Sequence, residues 1–323
     1  MSCTSLNIVV LDGFCLSQND LSWTDFEQLG HLIIYPRTPQ EEVLPRIKDA
    51  QVVITNKTVL SNEIIKNSPK LKYIGVLATG YNVVDVACAK AHGIVVTNVP
   101  AYSTQSVAQL VFAHLLNITN HVAHYAEKNR NGHWSACGDF SYADTPLIEL
   151  AGKKMGIVGM GNTGQATAAI AQALGMKVYV YSSKPYSYLP DGVTKLEIDD
   201  IFRQCDVVSL HCPLTKDTQG LVDARRLALM KRSAILINTA RGGLVNEQDL
   251  ADALNGNLIM AAAVDVLGTE PPKPDNPLLT AKNCYITPHI AWATFEARKR
   301  LMSVALDNVK AFLVGKTMNN VAV

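Results

Sequence analysis

The chain has 323 residues, of which 48% are hydrophobic and 18% are charged, and its formal net charge at pH 7 is +1. A balance this close to neutral gives no electrostatic basis for binding nucleic acid or an anionic membrane surface. No run of about 18 uncharged apolar residues is present, so a membrane-spanning helix is excluded. Single cores stop growing at about 250–300 residues, so the length predicts two domains.

The cysteines and the first residues of the chain indicate the cellular compartment in which the protein is expected. The seven cysteines are scattered and contain no C-x-x-C pair; they are Cys3, Cys15, Cys88, Cys137, Cys205, Cys212 and Cys284. This pattern favours reduced thiols over a disulfide framework or a zinc site, and we expect no metal. A strand-like Ile-Val-Val-Leu begins at Ile8, which leaves no room for a signal peptide. We therefore expect a cytoplasmic protein.

The first hundred residues alternate predicted strands with helical stretches. The predicted strands are Ile8–Leu11, Leu32–Tyr35, Val52–Thr55, Leu71–Val76 and Val95–Asn98. Thr38, followed by Pro39 and by Glu41 three residues after the cap, has the pattern of a capping box with proline at the first helical position. Gly93 is expected to end a helix near His92. Alternation of this kind predicts a parallel, doubly wound sheet, here without a glycine fingerprint.

A second alternating series follows a predicted connecting helix at Ser106–Thr119. Its predicted strands are Met155–Val158, Val178–Tyr181, Val207–Leu210, Ile235–Ile237, Ile259–Val264 and Tyr285–Thr287. Before it, Arg130–Leu150 lacks any clear period, and a loop of that length is usually functional or covered by a partner. Phe295–Leu313 has the spacing of an amphipathic helix. If this helix returns to the first domain, that domain is discontinuous.

Gly159, Gly161 and Gly164 form a G-x-G-x-x-G between a predicted strand and an alanine-rich helix, Gln165–Leu174, which Gly175 ends. In a dinucleotide-binding turn the first glycine permits the tight turn, the second lets the backbone approach a pyrophosphate, and the third lets helix and strand pack closely. The phosphates then lie at a helix N-terminus. The motif alone is weak, but this strand–turn–helix context favours a dinucleotide site over a plain βα turn.

Three polar residues follow strands of the second series, namely Arg241, Glu270 and His289. Ligands of open α/β sheets bind outside the carboxyl ends of strands, so the three side chains are expected to converge. Arginine can clamp a carboxylate or keto-acid oxygen, and histidine exchanges a proton near neutral pH, aided by a paired glutamate.

Taken singly, Arg241 can be a charged turn, Glu270 a solvated loop acid and His289 a helix cap. Together, behind a nucleotide fingerprint, they favour catalysis. The other seven histidines do not belong to such a set of polar residues at strand ends. They are His31, His92, His114, His121, His124, His133 and His211. We interpret His211 as structural. Cys212 has no partner base, which disfavours a catalytic thiol.

These motifs resemble the D-isomer-specific 2-hydroxyacid dehydrogenase family over essentially the whole chain, and within it the glycerate dehydrogenase/hydroxypyruvate reductase branch. The most specific stretches are Gly152–Gly164, His211–Thr215, Asn238–Gly243, Asp265, Pro288–Ile290 and Leu77–Asp85. The resemblance implies two doubly wound parallel-sheet domains flanking a cleft that closes by a hinge. A flavodoxin-like substrate domain would comprise residues 1–100 and 294–323, and a Rossmann nucleotide domain residues 101–293.

The resemblance also implies residue roles. Arg241 would bind the carboxylate and carbonyl groups of the substrate, and His289, paired with Glu270, would exchange the proton. Backbone N–H groups at Ala78, Thr79 and Gly80 would hold the substrate carboxylate. Asp265 would contact the nicotinamide carboxamide. Further cofactor contacts are expected from Gly159, Gly161, Asn162, Thr163, Gly164, Cys212, Pro213, Thr218, Thr239 and Ala240. The segment at 130–150 resembles the dimerisation arm of the family, so a homodimer is expected.

The ribose-binding position departs from the usual pattern of NAD enzymes. An acidic residue about 20 residues beyond the fingerprint normally binds the ribose 2′-OH. Here Ser182, Ser183 and Lys184 follow the second strand, with no acid before Asp191. Two hydroxyls and a lysine can accept a 2′-phosphate, so NADP is expected to serve at least as well as NAD. Lys184 can equally be a solvated surface charge.

The substrate expected first is hydroxypyruvate or glyoxylate, with D-glycerate or glycolate as product. Another 2-hydroxy acid remains open, although phosphoglycerate is disfavoured because no basic set accompanies Leu77–Asp85. By the resemblance, the glutamate at 270 also favours hydroxy acids over formate, since formate dehydrogenases would carry glutamine there. A dinucleotide-sensing protein of the corepressor type would retain the same three residues. A methyltransferase would not account for Arg241, Glu270 and His289.

Overall fold

The computed structural model describes residues 6–17 and 20–323, and the chain divides into two compact units. Unit 1 comprises Met1–Ser103 and Ala293–Val323, and unit 2 comprises Thr104–Trp292. The boundaries expected from sequence, at 100/101 and 293/294, lie within three residues of these. Cys3 lies outside the described residues, and the six described cysteines are free thiols.

Unit 1 is built on a five-stranded sheet in which every neighbouring pair is parallel. The strands are β1 Asn7–Val10, β2 His31–Ile34, β3 Val52–Thr55, β4 Tyr73–Val76 and β5 Val95–Thr97. Their order is β2-β1-β3-β4-β5, the flavodoxin-like arrangement. All four residues of β3 and of β4 are buried, as expected for the centre of a sheet covered on both faces.

Short helices connect these strands, namely α1 Thr24–Glu27, α2 Val43–Ile47, α3 Asn62–Lys66 and α4 Val86–Ala91. The side chain of Asp85 caps α4 by accepting a hydrogen bond from the N–H of Cys88 at 2.9 Å. Gly93, with φ +67°, ends that helix as the sequence predicted.

The C-terminal helix, Phe295–Leu313, has the predicted bounds and belongs to unit 1. The ring of Phe312 lies 4.9 Å from that of Tyr73, centroid to centroid. Beyond the helix, Asn320 forms an antiparallel bridge with Thr97. The last residues therefore cover the exposed edge of β5, where unpaired backbone groups would otherwise face solvent.

The capping box predicted at Thr38 is wrong. The hydroxyl of Thr38 donates a hydrogen bond to the carbonyl of Leu11 at 2.5 Å and caps no helix. Pro39 is instead the N-cap of a 3-10 turn, Gln40–Glu42, which leads into α2. The side chain that the local pattern assigned to the cap instead makes a tertiary contact with the residue that follows β1.

Unit 2 is built on a seven-stranded, all-parallel sheet. Its strands are β6 Lys154–Val158, β7 Lys177–Tyr181, β8 Val193–Lys195, β9 Val207–Leu210, β10 Ile235–Asn238, β11 Ala261–Val264 and β12 Cys284–Ile286. The order β12-β11-β10-β9-β6-β7-β8 is the Rossmann order with one added strand. The strand order reverses between β6 and β9, where such folds bind ligands. β8 was not predicted, because its three residues include a single buried one.

Helices cover both faces of this second sheet. They are α5 Thr104–Asn120, α6 Val122–Arg130, α7 Asn162–Ala173, α8 Ile198–Gln204, α9 Ala224–Leu227 and α10 Glu247–Asn255. α5 and α7 pack on one face and α8 and α10 on the other, each with its own apolar cluster. Residues 131–153 contain neither helix nor strand, in agreement with the aperiodic segment in the sequence.

The predicted fold class of two parallel α/β sheets is therefore confirmed. Among the residues of the two described ranges, no helix is long and apolar enough to cross a membrane.

Candidate active site

The glycine-rich turn joins β6 to α7 in unit 2. Gly159 has φ +101°, and a Cβ built there would lie 2.7 Å from the backbone nitrogen of Cys212. A Cβ on Gly164 would lie 2.2 Å from the carbonyl oxygen of Gly159, so α7 packs directly against the turn. By contrast, no atom lies within 4 Å of a Cβ built on Gly161, the N-cap residue of α7. The turn is thus closed on its packed side and open at the helix N-terminus.

Several groups around this turn fit a dinucleotide. Asn162 and Thr163 form the start of α7, where unpaired N–H groups favour a phosphate. Thr239, just after β10, has a buried hydroxyl with no hydrogen-bond partner among the described residues. Ala240 is held in place because its N–H donates to the side-chain oxygen of Asn238 at 3.1 Å. An open helix N-terminus and an unsatisfied hydroxyl together suit a bound nicotinamide dinucleotide.

The loop after β9 is braced from within. The hydroxyl of Thr218 donates to the carbonyl of Pro213 at 2.7 Å and accepts from the N–H of Thr215 at 2.7 Å. Burial raises the pKa of the Cys212 thiol, which disfavours the thiolate a nucleophile would need. These predicted cofactor residues therefore shape the loop that faces Gly159.

His211 at the end of β9 has a structural environment, as the sequence indicated. Its Nε2 lies 2.9 Å from the hydroxyl of Ser209, and its backbone N–H donates to Val158 at 2.7 Å. Burial lowers the pKa of His211 to about 4, so the ring is neutral near pH 7. A neutral, packed imidazole has no part in proton exchange here.

A second lysine, Lys195, lies next to the segment that follows β7. The backbone N–H of Lys184 donates to the hydroxyl of Ser182 at 3.1 Å, which leaves the hydroxyl proton available to an acceptor. The ammonium of Lys195, on β8, donates to the carbonyl of Lys184 at 3.0 Å. Lys195 therefore lies beside Ser183 and Lys184. Sequence reasoning missed it because its strand was not predicted.

Glu270 and His289 form a close pair. The carboxylate Oε2 of Glu270 lies 2.6 Å from Nδ1 of His289, and Oε1 accepts a hydrogen bond from the N–H of Leu267 at 3.0 Å. Both side chains are about one-third exposed. The pairing occupies one nitrogen of the imidazole and leaves Nε2 to face another group.

Asp265 holds the loop that carries His289. Its side chain is buried, and its carboxylate accepts hydrogen bonds from the N–H groups of Ile290 at 2.8 Å and Ala291 at 2.9 Å and from the hydroxyl of Thr287 at 2.6 Å. Its backbone carbonyl accepts the N–H of His289 at 2.8 Å. The described contacts of Asp265 thus orient this loop from inside the chain.

Arg241 lies on the neighbouring loop, just after β10. Its guanidinium donates to the carbonyl of Ala240 at 2.7 Å, and the side chain is exposed. The next residue, Gly242, touches the loop after β11, since a Cβ there would lie 1.9 Å from the carbonyl carbon of Leu267. The structure therefore brings the loops of Arg241 and Glu270 together, while the arginine head group points to its own backbone.

His114 has a polar partner that the sequence analysis did not identify. It lies on α5, and its Nε2 is 3.1 Å from the hydroxyl of Thr287. The two residues are 173 positions apart in the chain, so no local motif could connect them.

In unit 1, the turn at residues 78–80 follows β4 and is fixed by its neighbours. The hydroxyl of Thr79 donates to the carbonyl of Val99 at 2.9 Å, and the amide of Asn98 donates to the carbonyl of Thr79 at 2.8 Å. Within the described ranges, no hydrogen bond uses the N–H groups of Ala78, Thr79 or Gly80. These donors are therefore free to bind an anion.

Comparisons with known proteins agree with this geometry. The family model described as D-isomer specific 2-hydroxyacid dehydrogenase, NAD binding domain, matches residues 112–291. The chain is 50% identical to a hydroxypyruvate reductase of Blautia hydrogenotrophica over 97% of this chain and 99% of that protein. It is 43% identical to a glycerate dehydrogenase of Methylorubrum extorquens over 86% of this chain and 88% of that protein. Among solved structures, an acyclic imino acid reductase in complex with NADPH and D-Arg has a TM-score of 0.85 and 31% identity, covering 98% of this chain and 100% of that one.

Proposed function

The chain belongs to the D-isomer-specific 2-hydroxyacid dehydrogenase family, and we propose that it reduces hydroxypyruvate to D-glycerate, with glyoxylate as a second substrate. The observation that carries the proposal is the Glu270–His289 pair, at 2.6 Å, on loops at the same edge of the sheet as the glycine-rich turn. The hydroxypyruvate reductase at 50% identity supports the choice of substrate.

Binding of the substrate is assigned to two sets of donors. The guanidinium of Arg241 is always charged and can grip the carboxylate and the carbonyl oxygen. Its Nη1 donates to the carbonyl of Ala240, and the other N–H groups of the guanidinium can serve the substrate. The free N–H groups of Ala78, Thr79 and Gly80 offer a second set of donors to the carboxylate.

Proton exchange is assigned to His289. Because Glu270 holds Nδ1, Nε2 is the atom that gives its proton to the oxygen on C2 as the oxo acid is reduced, and that takes it back in the reverse direction. The carboxylate of Glu270 orients the ring through this contact. When bound, the nicotinamide supplies the hydride for reduction and accepts it in oxidation.

The proposed cofactor contacts follow from the same unit. Gly159, Gly161, Gly164 and the first turn of α7 would hold the pyrophosphate. The carboxylate of Asp265 already accepts three hydrogen bonds from the chain. A remaining lone pair would accept a hydrogen bond from the nicotinamide carboxamide.

We further propose that NADP(H) is used at least as well as NAD(H). Ser182, Ser183 and Lys184 stand where NAD enzymes place an acid, and Lys195 adds a second positive charge. Two ammonium groups would attract a 2′-phosphate. No carboxylate lies between Ser182 and Asp191 to repel it.

The test is a panel of 2-oxo acids assayed with both cofactors. Hydroxypyruvate and glyoxylate are expected to give the highest kcat/KM, with pyruvate and other oxo acids below them. Tight dinucleotide binding without turnover of any oxo acid would instead favour a sensing role of the corepressor type. A higher kcat/KM for a different oxo acid would identify that acid as the substrate, and the proposed roles of Arg241 and His289 would still apply.

We also propose a cytoplasmic homodimer that uses residues 130–150. This segment exposes large apolar side chains: Trp134 is 52% exposed, Phe140 91% and Leu147 57%. Its backbone is nevertheless tied down, because the indole N–H of Trp134 donates to the carbonyl of Phe140 at 3.1 Å and the hydroxyl of Tyr142 donates to Asn129 at 2.6 Å. An ordered segment with exposed apolar groups suits an interface between two copies.

A further inference from the structure

A buried histidine outside the assigned catalytic set contacts the loop of His289. His114 lies on α5, is 6% exposed, and is surrounded on the helix by the buried apolar residues Val111, Leu115 and Ile118. Its Nε2 is 3.1 Å from the hydroxyl oxygen of Thr287. A polar ring in such surroundings costs free energy unless it is hydrogen-bonded, and Thr287 supplies the bond.

The direction of that hydrogen bond follows from counting protons. Thr287 has one hydroxyl proton, and it donates this proton to Oδ1 of Asp265 at 2.6 Å. Its oxygen must therefore accept from His114, so Nε2 of His114 carries hydrogen. Burial lowers the pKa of His114, so the ring is the neutral Nε2–H tautomer.

Asp265 carries the chain of hydrogen bonds on to His289. The same oxygen that binds Thr287 also accepts the N–H of Ile290, and the carbonyl of Asp265 accepts the N–H of His289. His289 itself has φ +53°, in the left-handed region that non-glycine residues rarely adopt. Such a backbone persists only where its surroundings hold it, and these bonds contribute to holding it.

We propose that His114 is a positioning residue which, through Thr287 and Asp265, holds the 287–291 loop and so places Nε2 of His289 for proton exchange. The inference rests on the proposed function, because it takes His289 as the proton donor. Leucine at 114 would continue the apolar face of α5 but would leave the hydroxyl of Thr287 without its donor. The histidine therefore serves the loop rather than the core.

Kinetics of four variants test this chain of bonds. We expect His114→Leu and Thr287→Val to lower kcat about 10-fold to 100-fold, because small misplacements of catalytic groups cost that much. KM for the oxo acid and Kd for the dinucleotide should stay within about 3-fold, since their binding groups are intact. Thr287→Ser and His114→Gln keep a hydroxyl and an N–H donor and should restore most of kcat.

Two further proteins separate positioning from loss of packing. Thr167→Val removes a buried hydroxyl of α7 that has no described partner, and it should leave kcat unchanged. The double variant His114→Leu/Thr287→Val should be no slower than Thr287→Val, since both break the same chain. Multiplicative losses in the double variant would overturn the inference.

NMR of ring-labelled histidine separates this inference from the proposed function. The His289 signals, assigned with His289→Ala, should shift in His114→Leu and Thr287→Val and return in Thr287→Ser. If His289→Ala keeps its turnover, the proposed role of His289 fails, whereas the shifted signals still support the positioning. Unchanged His289 signals, or shifted signals with parental kcat, overturn the role of His114 whatever His289 does.

Discussion

Glu270 and His289 come from loops that follow two different strands, yet Oε2 of the glutamate lies 2.6 Å from Nδ1 of the histidine. The pair leaves a single imidazole nitrogen, Nε2, for a substrate. Under the proposed function, Nε2 is the atom that exchanges the proton, and Glu270 orients the ring.

Replacing the histidine is the first test of that pair. His289→Ala should lower kcat about 10²-fold to 10⁴-fold, the usual contribution of a general acid, while Kd for NADPH stays within about 2-fold. Steady-state kinetics and cofactor titration measure the two quantities. His92→Ala, an exposed histidine of unit 1, is the matched control and should behave as the parent. Turnover near the parental rate in His289→Ala would remove the residue from its assigned role.

Arg241→Ala should act mainly on the substrate. Loss of a charge-assisted hydrogen bond, worth about 1.5–3 kcal/mol, predicts a KM for hydroxypyruvate raised about 10-fold to 100-fold. A contribution to the transition state would lower kcat as well. Arg225→Ala, which removes an exposed arginine paired with Asp199, serves as the control. An unchanged kcat/KM would show that the guanidinium does not reach the substrate.

The cofactor choice depends on two lysines. Lys184→Ala and Lys195→Ala should each lower kcat/KM for NADPH about 10-fold, because a charge-assisted bond to the 2′-phosphate is lost. Activity with NADH is the internal control and should change little. Lys316→Ala removes an exposed lysine in the other unit and should alter neither. A strong NADH preference in the parent enzyme would refute the prediction.

Phe140 tests the proposed dimer. Phe140→Asp places a charge on a side chain that is 91% exposed in the single chain, so it should not unfold the monomer but should oppose burial against a second copy. Light scattering is expected to give a dimer for the parent and a monomer for the variant. Val314→Asp changes another exposed apolar residue, 70% exposed, in unit 1 and should leave the dimer intact. A monomeric parent would contradict the proposal.

His211 predicts a component of acid sensitivity. Its pKa is about 4 in the folded chain, against 6.5 for an unperturbed histidine. Below pH 6.5 the unfolded chain binds a proton that the folded chain refuses, so the free energy of unfolding falls as the pH drops from 6.5 towards 4. The loss is about 1–3 kcal/mol for a shift of this size.

The measurement for His211 is a comparison with His211→Gln, which does not titrate and keeps a donor near Ser209. Between pH 7 and 4.5 the parent should lose more stability than the variant in denaturant melts. Parallel losses in the two proteins would show that His211 does not titrate on unfolding.

What the sequence predicted well was local. The turn at Gly159 to Gly164 and the helix Phe295–Leu313 follow from glycine spacing and helical period, and the structure has both. The prediction at Thr38 was wrong because its hydroxyl donates to Leu11, 27 residues earlier, rather than to its own helix. A local sequence pattern carries no information about an acceptor from a distant part of the chain.

The contacts that were missed are long-range. Lys195 escaped notice because β8 has a single buried residue and hence no visible alternation. His114 meets Thr287 across 173 positions, which only the folded sheet brings together. Arg241, Glu270 and His289 were selected because strand ends of a parallel sheet share one edge. No such rule identifies residues such as His114 and Lys195, which contact the segments after β12 and β7 from elsewhere in the fold.

Because Thr97 pairs with Asn320, the first sheet is completed only when the end of the chain has been synthesised. Thr104–Trp292 is continuous, so the ribosome releases that unit whole while the first sheet still lacks Phe312 against Tyr73. At translation rates of about 5–20 residues per second, the delay between synthesis of β5 and synthesis of Asn320 is about 10–40 s. During that interval the nascent chain presents an uncovered apolar face and an open strand edge, so cotranslational chaperones are the factors on which its yield should depend.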